Sequence, residues 1–151
     1  MEISRVGTGV RIKGKNSQVV ADSLEAFPKV GDFAVPGPGE YEIGGVTVVT
    51  KVVPIRFCHL VIDGINVCLL DEPERKLTNA EVELIGDVDI LVLKTDGTAE
   101  IISEVSPRIV IPLGDRTKLV KEMGGETPAP QNKLAISKDK LPETTNLVIL
   151  E

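Results

Sequence analysis

Residues 36–49 read Pro-Gly-Pro-Gly-Glu-Tyr-Glu-Ile-Gly-Gly-Val-Thr-Val-Val. Pro36 and Pro38 fix φ while Gly37 and Gly39 permit tight bends, so the first four residues form a rigid loop. Beyond it, Tyr41–Ile43 and Val46–Val49 pair across Gly44-Gly45, a dipeptide that accepts the positive φ of a two-residue hairpin turn. The arrangement recurs on both sides. Val10 and Ile12 face Val19–Val20 across the polar turn Gly14-Lys15-Asn16-Ser17. Phe57–Ile62 faces Ile65–Leu70 across Asp63-Gly64, the strongest short-range signal in the chain.

The second half changes character. Thr78 with Glu81 fits a capping box, in which hydroxyl and carboxylate each satisfy a free backbone N–H. The helix it opens runs to about Ile85 and stops at Gly86. Val88–Leu93 reads as a buried strand, Ala99–Val105 as a short helix and Arg108–Leu113 as a second strand after Pro107. Strand, helix, strand at this spacing is a βαβ unit, with parallel pairing and a right-handed crossover. Thr117–Met123 reads as a further helix closed by Gly124-Gly125, with final strands at Leu134–Ser137 and Asn146–Leu150. Hairpins followed by βαβ make an α/β fold of two sheet layers with helices on an outer face. No repeat or linker divides residues 1–151, so a single domain is expected.

The Asp63-Gly64 turn fixes a register that pairs His59 with Cys68. Alternation then puts Cys58, Leu60, Ile62, Ile65, Val67 and Leu69 on one face, the core side. Phe57, His59, Val61, Asn66, Cys68 and Leu70 share the other. His59 is the only histidine, and next to Cys68 it has two readings. One is a thiolate activated by imidazole, or half a metal site. The other is a half-buried polar pair beneath a helix. Neither an oxyanion hole nor a third metal ligand is evident beside it.

Composition narrows the function. The chain has 151 residues, 17 Lys and Arg against 23 Asp and Glu, and a net charge of −6. With three Phe, one Tyr and no Trp, it lacks the basic footprint and stacking aromatics of a nucleic-acid binder. No apolar run approaches the roughly 18 residues that span a bilayer, and Met1–Lys15 contains no signal-peptide core. A cytoplasmic address is expected, with neither nucleic acid nor membrane as partner. The glycines at 37, 39, 44 and 45 precede a hairpin rather than a helix, so they form turns and not a phosphate cradle.

The segment Pro36–Val46 resembles the equivalent segment of the metallo-β-lactamase-fold hydrolases, in the subgroup similar to the ascorbate-phosphate lactonases. The likeness continues in order along the chain. Val6-Gly7-Thr8-Gly9-Val10-Arg11-Ile12 resembles that group's opening strand. Val67-Cys68-Leu69-Leu70-Asp71-Glu72 with Leu77-Thr78 resembles its Val-Cys-His-Leu-Gly-Asp element and the helix after it. Gly86-Asp87-Val88-Asp89 and Ile109-Val110-Ile111-Pro112-Leu113-Gly114 resemble two later strands, and Ile136-Ser137 with Leu141-Pro142 the closing segment. The resemblance implies a reduced αββα sandwich in which Pro36, Gly37, Gly39, Glu40, Tyr41, Gly44 and Gly45 have structural roles.

It does not imply the activity. Enzymes of that family hold one or two metal ions, usually zinc, through a His-x-His-x-Asp-His motif and further His and Asp ligands at strand ends. The stretch Ser23–Val35, where that motif belongs, contains no histidine. Thr8 stands at the opening His position, Glu72 at the Asp position with Asp71 beside it, and Gly114 at the late His position. The carboxylates left near the rim, Asp22, Asp71, Glu72 and Asp115, are weak metal candidates and suit Mg²⁺ or Ca²⁺ better than zinc. No cofactor is expected, zinc being the one that could still bind. The leading expectation is a non-catalytic descendant serving as a binding or assembly module. The runner-up is a hydrolase rebuilt around Asp71, Glu72 and His59, and the third a Cys68/His59 thiol site. Loss of a long segment from a sandwich uncovers apolar surface, and the terminal strand presents an open edge. A homo-oligomer or a protein partner is therefore expected.

Overall fold

The computed structural model describes residues 1–71, 75–94, 99–114, 117–124 and 126–151. In chain order the strands are β1 (Glu2–Val6), β2 (Gly9–Lys13), β3 (Gln18–Ala21), β4 (Lys29–Val30), β5 (Phe33–Ala34), β6 (Gly39–Ile43), β7 (Val46–Lys51), β8 (Phe57–Ile62) and β9 (Ile65–Leu70). Then come α1 (Asn79–Ile85), β10 (Ile90–Leu93), α2 (Ala99–Val105), β11 (Ile109–Pro112), α3 (Thr117–Glu122), β12 (Lys133–Ala135) and β13 (Asn146–Leu147), with a 3₁₀ turn at Lys138–Lys140.

These strands form a six-stranded sheet, ordered β12-β1-β2-β3-β4-β5, and a seven-stranded sheet, ordered β13-β11-β10-β9-β8-β7-β6. The hairpins expected across Gly44-Gly45 and Asp63-Gly64 are present. Gly44 and Gly45 lie at φ 57° and 84°, Asp63 and Gly64 at 51° and 76°, the two positive values of the tight turn that matches strand twist. β9, β10, β11 and β13 run parallel, β10 lying between β9 and β11. Parallel strands must be covered on both faces, and all four residues of β10 and of β11 are buried.

Two apolar layers provide that cover. Between the sheets, Ile3, Ile12 and Val19 of the smaller sheet meet Val48, Leu60, Val67, Val92 and Ile111 of the larger. On the other face of the larger sheet, Phe57, Cys68, Leu70, Leu91 and Val110 pack against Leu77, Ile85, Ile101 and Leu119 from the helical layer. The two faces of the β8–β9 hairpin are those that alternation predicts, each buried by a different neighbour.

The sandwich is reduced as expected: the described helices pack on the larger sheet and none covers the six-stranded sheet. Two expectations change. The uncovered face is not apolar: Arg11, Lys13, Gln18 and Lys29 are exposed on it. The final segment pairs only over Asn146–Leu147. The chain then crosses to Gln131, whose N–H donates to Ile149 O at 2.9 Å and whose carbonyl accepts from the Glu151 N–H at 3.0 Å. No helix among the described residues is long and apolar enough to cross a membrane.

The capping box closes on both arms. The Glu81 N–H donates to Thr78 Oγ1 at 3.2 Å and the Thr78 N–H to Glu81 Oε1 at 2.9 Å. Arg75 grips the same carboxylate with both terminal nitrogens, at 2.6 and 2.7 Å. This fork, with the Thr78 bonds, holds the Glu81 carboxyl down to about 2. A depressed folded-state value contributes stability above the ordinary carboxylate range and loses it as the group protonates. Glu81→Gln should therefore cost about 1 kcal/mol near neutral pH. The gap from wild type should close between about pH 4.5 and 2, as read by urea unfolding across that range.

Candidate functional site

In a sheet of parallel strands, ligands bind beyond the carboxyl ends. Three described segments emerge there: Asp71 after β9, Lys94 after β10 and Leu113-Gly114 after β11. The Asp71 N–H donates to Arg56 O at 3.1 Å, which sets the carboxylate at the rim. Lys94 lies 3.2 Å from Asp71 Oδ1 and also pairs with Glu25. Glu25 comes from the loop after β3 and draws Lys94 further toward its charged form, against the cost of its burial, with Asp71 adding to the effect. In return the ammonium lowers the Glu25 carboxyl. One cation thus ties two carboxylates together at the carboxyl edge.

The loop carrying Glu25 is folded onto that edge. Thr8 anchors its start, with N–H and Oγ1 both donating to Asp22 O, at 3.1 and 3.3 Å. Gly9 is required beside it, because a Cβ would lie 1.8 Å from Ala21 O. Ser23 Oγ accepts from the Glu25 N–H at 3.1 Å, Leu24 is buried, and the Arg56 guanidinium stacks 5.0 Å from the Phe27 ring centre. Between Leu24, Phe27, Arg56, Cys58 and Leu69 a cavity of about 10 Å³ remains, room for one water at most. The loop is tied to the strand end through Glu25 and Lys94.

The expected candidates are described only in part. Asp71 is at the rim. Asp22 contributes its backbone carbonyl while its side chain faces solvent. Glu72 and Asp115 lie outside the described residues. Thr8 and Gly114 offer no imidazole. Among the described residues no three His, Cys, Asp or Glu side chains converge as a metal site would need. A zinc centre needs several N, S or O donors around an open position; here a lysine ammonium, which donates and cannot coordinate while charged, stands between the two nearest carboxylates. Among the described residues the donor set does not fit zinc.

His59 belongs to a different network. The register pairs it with Cys68 as expected, but its Nε2 meets Asn66 Oδ1 at 3.1 Å. The Asn66 N–H and Nδ2 both donate to Asp89 Oδ2, at 2.8 and 3.3 Å, and Lys138 Nζ donates to the same oxygen at 2.7 Å. This chain runs toward the amino ends of β9 and β10, away from Asp71. Burial works against the Asp89 charge, but Lys138 and Asn66 outweigh it and hold the carboxyl below its ordinary range. The network fastens the closing 3₁₀ turn to the sheet.

Cys68 is fully buried, and burial raises its thiol far above neutral pH; Cys58, on the opposite face, is pushed up to about 12. A thiolate nucleophile needs the reverse. Sequence reasoning named neither Lys94 nor Glu25. Lys94 had a signal, being the first charged residue after a wholly apolar parallel strand. Glu25 had none, because its partner is 69 residues away.

No protein-family model matches the chain, and no curated protein matches it. Among solved structures it is similar to a protein of Thermotoga maritima, described as a candidate Zn-dependent hydrolase of the metallo-β-lactamase superfamily. The TM-score is 0.79 at 21% identity, over 100% of this chain and 99% of that one. The likeness establishes the fold: α/β, two stacked sheets, of metallo-β-lactamase type.

The burial of both thiols has a direct consequence. In the native protein neither should react with a chromogenic disulfide reagent at neutral pH over minutes, while both should titrate after unfolding in guanidinium. Rapid native labelling of Cys68, slowed by His59→Ala, would restore the thiol reading.

Proposed function

We propose that this chain is a non-catalytic descendant of a metal-dependent hydrolase, kept as a binding or assembly module. The observation that carries the reading is Lys94, held between Asp71 and Glu25 at the carboxyl ends of the parallel strands. The ancestry is supported by the shared fold with a protein described as a candidate Zn-dependent hydrolase.

Chemistry separates a lysine from a metal at this place. A metal ion with an open position polarises substrate oxygen and lowers the pKa of bound water toward neutrality. An ammonium neutralises carboxylates but binds no water as hydroxide. With two carboxylates holding its proton, Lys94 is not a base either. Asp71 Oδ1 is engaged by the Lys94 ammonium. Lys94, Asp71 and Glu25 therefore serve to fasten the Ser23–Phe27 loop.

A hydrolase rebuilt around Asp71, Glu72 and His59 finds less support, since His59 is committed to Asn66 on the path leading away from Asp71. The subgroup likeness to the ascorbate-phosphate lactonases stays part of the proposal, on the residues quoted for it.

The test is metal content by mass spectrometry after equilibration with zinc and with manganese, using protein made without a histidine tag. It is paired with assays on lactone and phosphodiester substrates. The expected result is metal well below one ion per chain and no chelator-sensitive turnover. Near-stoichiometric zinc, with hydrolysis abolished by a chelator, would overturn the reading.

A further inference from the structure

We propose that β6, the free edge of the seven-stranded sheet, takes up an extended segment of a partner protein in which basic residues alternate with apolar ones. This names the partner of the binding module proposed above and rests on that reading for its purpose. The edge itself is far from Lys94 in the sheet order and would exist in an active hydrolase as well.

The backbone comes first. Among the described residues β6 pairs with β7 alone. The two-residue turn Gly44-Gly45 makes Ile43–Val46 a hydrogen-bonded pair, and such pairs alternate along an antiparallel ladder. Tyr41–Val48 and Gly39–Thr50 are therefore bonded pairs too. The N–H and C=O groups of Glu40 and Glu42 are left pointing outward, a row of two donors and two acceptors spaced for an added strand.

Side chains then set what that strand must carry. Glu40 and Glu42 are exposed and share the outer face of the sheet, and neither has an ion-pair partner among the described residues. In an antiparallel addition, the residues bonded to Glu40 and Glu42 stand directly opposite them, so opposite charge is favoured there. Residues between these point to the other face. On that face Val30, Phe33 and Ile43 line a groove of about 330 Å³ where the β4–β5 and β6–β7 turns approach each other. Phe33 is 43% exposed in it. Its ring lies 6.2 Å from that of Tyr41, which joins the edges of the two sheets. A groove of this size takes small apolar side chains and falls in the lower range of ligand clefts, ~300–1,000 Å³.

The same charges argue against a second copy. A two-fold antiparallel pairing of β6 with itself keeps each face on its own side, so only registers centred on a residue are possible. Centred on Tyr41, Glu40 of each copy meets Glu42 of the other. Centred on Glu40 or on Glu42, that glutamate meets itself. Every register that overlaps three or more residues of β6 thus sets carboxylate against carboxylate, which is how an edge is guarded against its own kind. A basic strand meets no such barrier.

The experiment uses the intact chain and a labelled peptide, Gly-Lys-Val-Lys-Ile-Lys-Gly, followed by fluorescence anisotropy and by amide hydrogen exchange. Saturable binding is expected, weaker at high salt, with the Glu40 and Glu42 amides protected in the complex. The double variant Glu40→Lys/Glu42→Lys changes two exposed side chains; its thermal unfolding checks that the fold is kept. It should weaken binding about tenfold and should bind the counterpart peptide with Glu for Lys. The proposal is overturned by no saturable binding, by binding that the charge swap leaves unchanged, or by protection elsewhere than β6. It is equally overturned if those amides are already protected in a dimer of the chain without peptide. None of these outcomes depends on metal content, so a zinc-loaded protein that still takes the peptide on β6 would sink the earlier reading and leave this one standing.

Discussion

β9, β10 and β11 carry apolar side chains on both faces, and water must be kept from both. That constraint organises the molecule. It stacks the hairpin-built sheet on one side, through Ile3, Ile12 and Val19, and the helices on the other, through Ile85, Ile101 and Leu119. It also aligns three strand ends, so that Asp71, Lys94 and Gly114 emerge together at one rim. The outer strands are not bound by it. The six-stranded sheet needs cover on one face only, and its other face carries Arg11, Lys13 and Lys29 into water.

At the rim, charge rather than burial decides what the fold can do. A sandwich of this type offers a crevice at the carboxyl ends, and carboxylates placed there require a counter-cation. In this chain the cation is covalent. Lys94 reaches Asp71 and, across the layers, Glu25, so the cation at the rim also fixes the loop after β3. A metal would supply the same neutralisation with coordination sites to spare, and the lysine has none. The exposed parts of this pairing contribute little stability individually; their effect is on geometry, through the buried Leu24 and the stacked Phe27 and Arg56.

Local signals were legible where local physics sets the outcome. Asp63-Gly64 between alternating runs fixes the β8–β9 register, and the observed bounds are those expected. Thr78 and Glu81 mark the start of α1 through two backbone bonds that need no distant partner. Other features depend on tertiary contacts. β4 and β5, of two residues each, have no length over which periodicity can register. β10 begins at Ile90 rather than Val88, although the Asp89 N–H already bonds Asn66 O and its carbonyl accepts from the Arg108 and Ile109 amides. The aliphatic run Leu147–Leu150 looked like one strand but divides between β11 and Gln131. At the site, the resemblance pointed to the rim and to Asp71. The lysine–glutamate contact that changes its chemistry joins a strand end to a loop remote in the chain.

The central claim is that a lysine ammonium, and not a metal, completes the charge at the strand ends. The most direct test is a crystal structure of protein equilibrated with zinc, with an anomalous difference map recorded at the zinc edge. The account predicts no anomalous peak at the rim and a Lys94 nitrogen about 3.2 Å from Asp71 Oδ1. A zinc peak coordinated by Asp71, with Lys94 turned away into solvent, would contradict it.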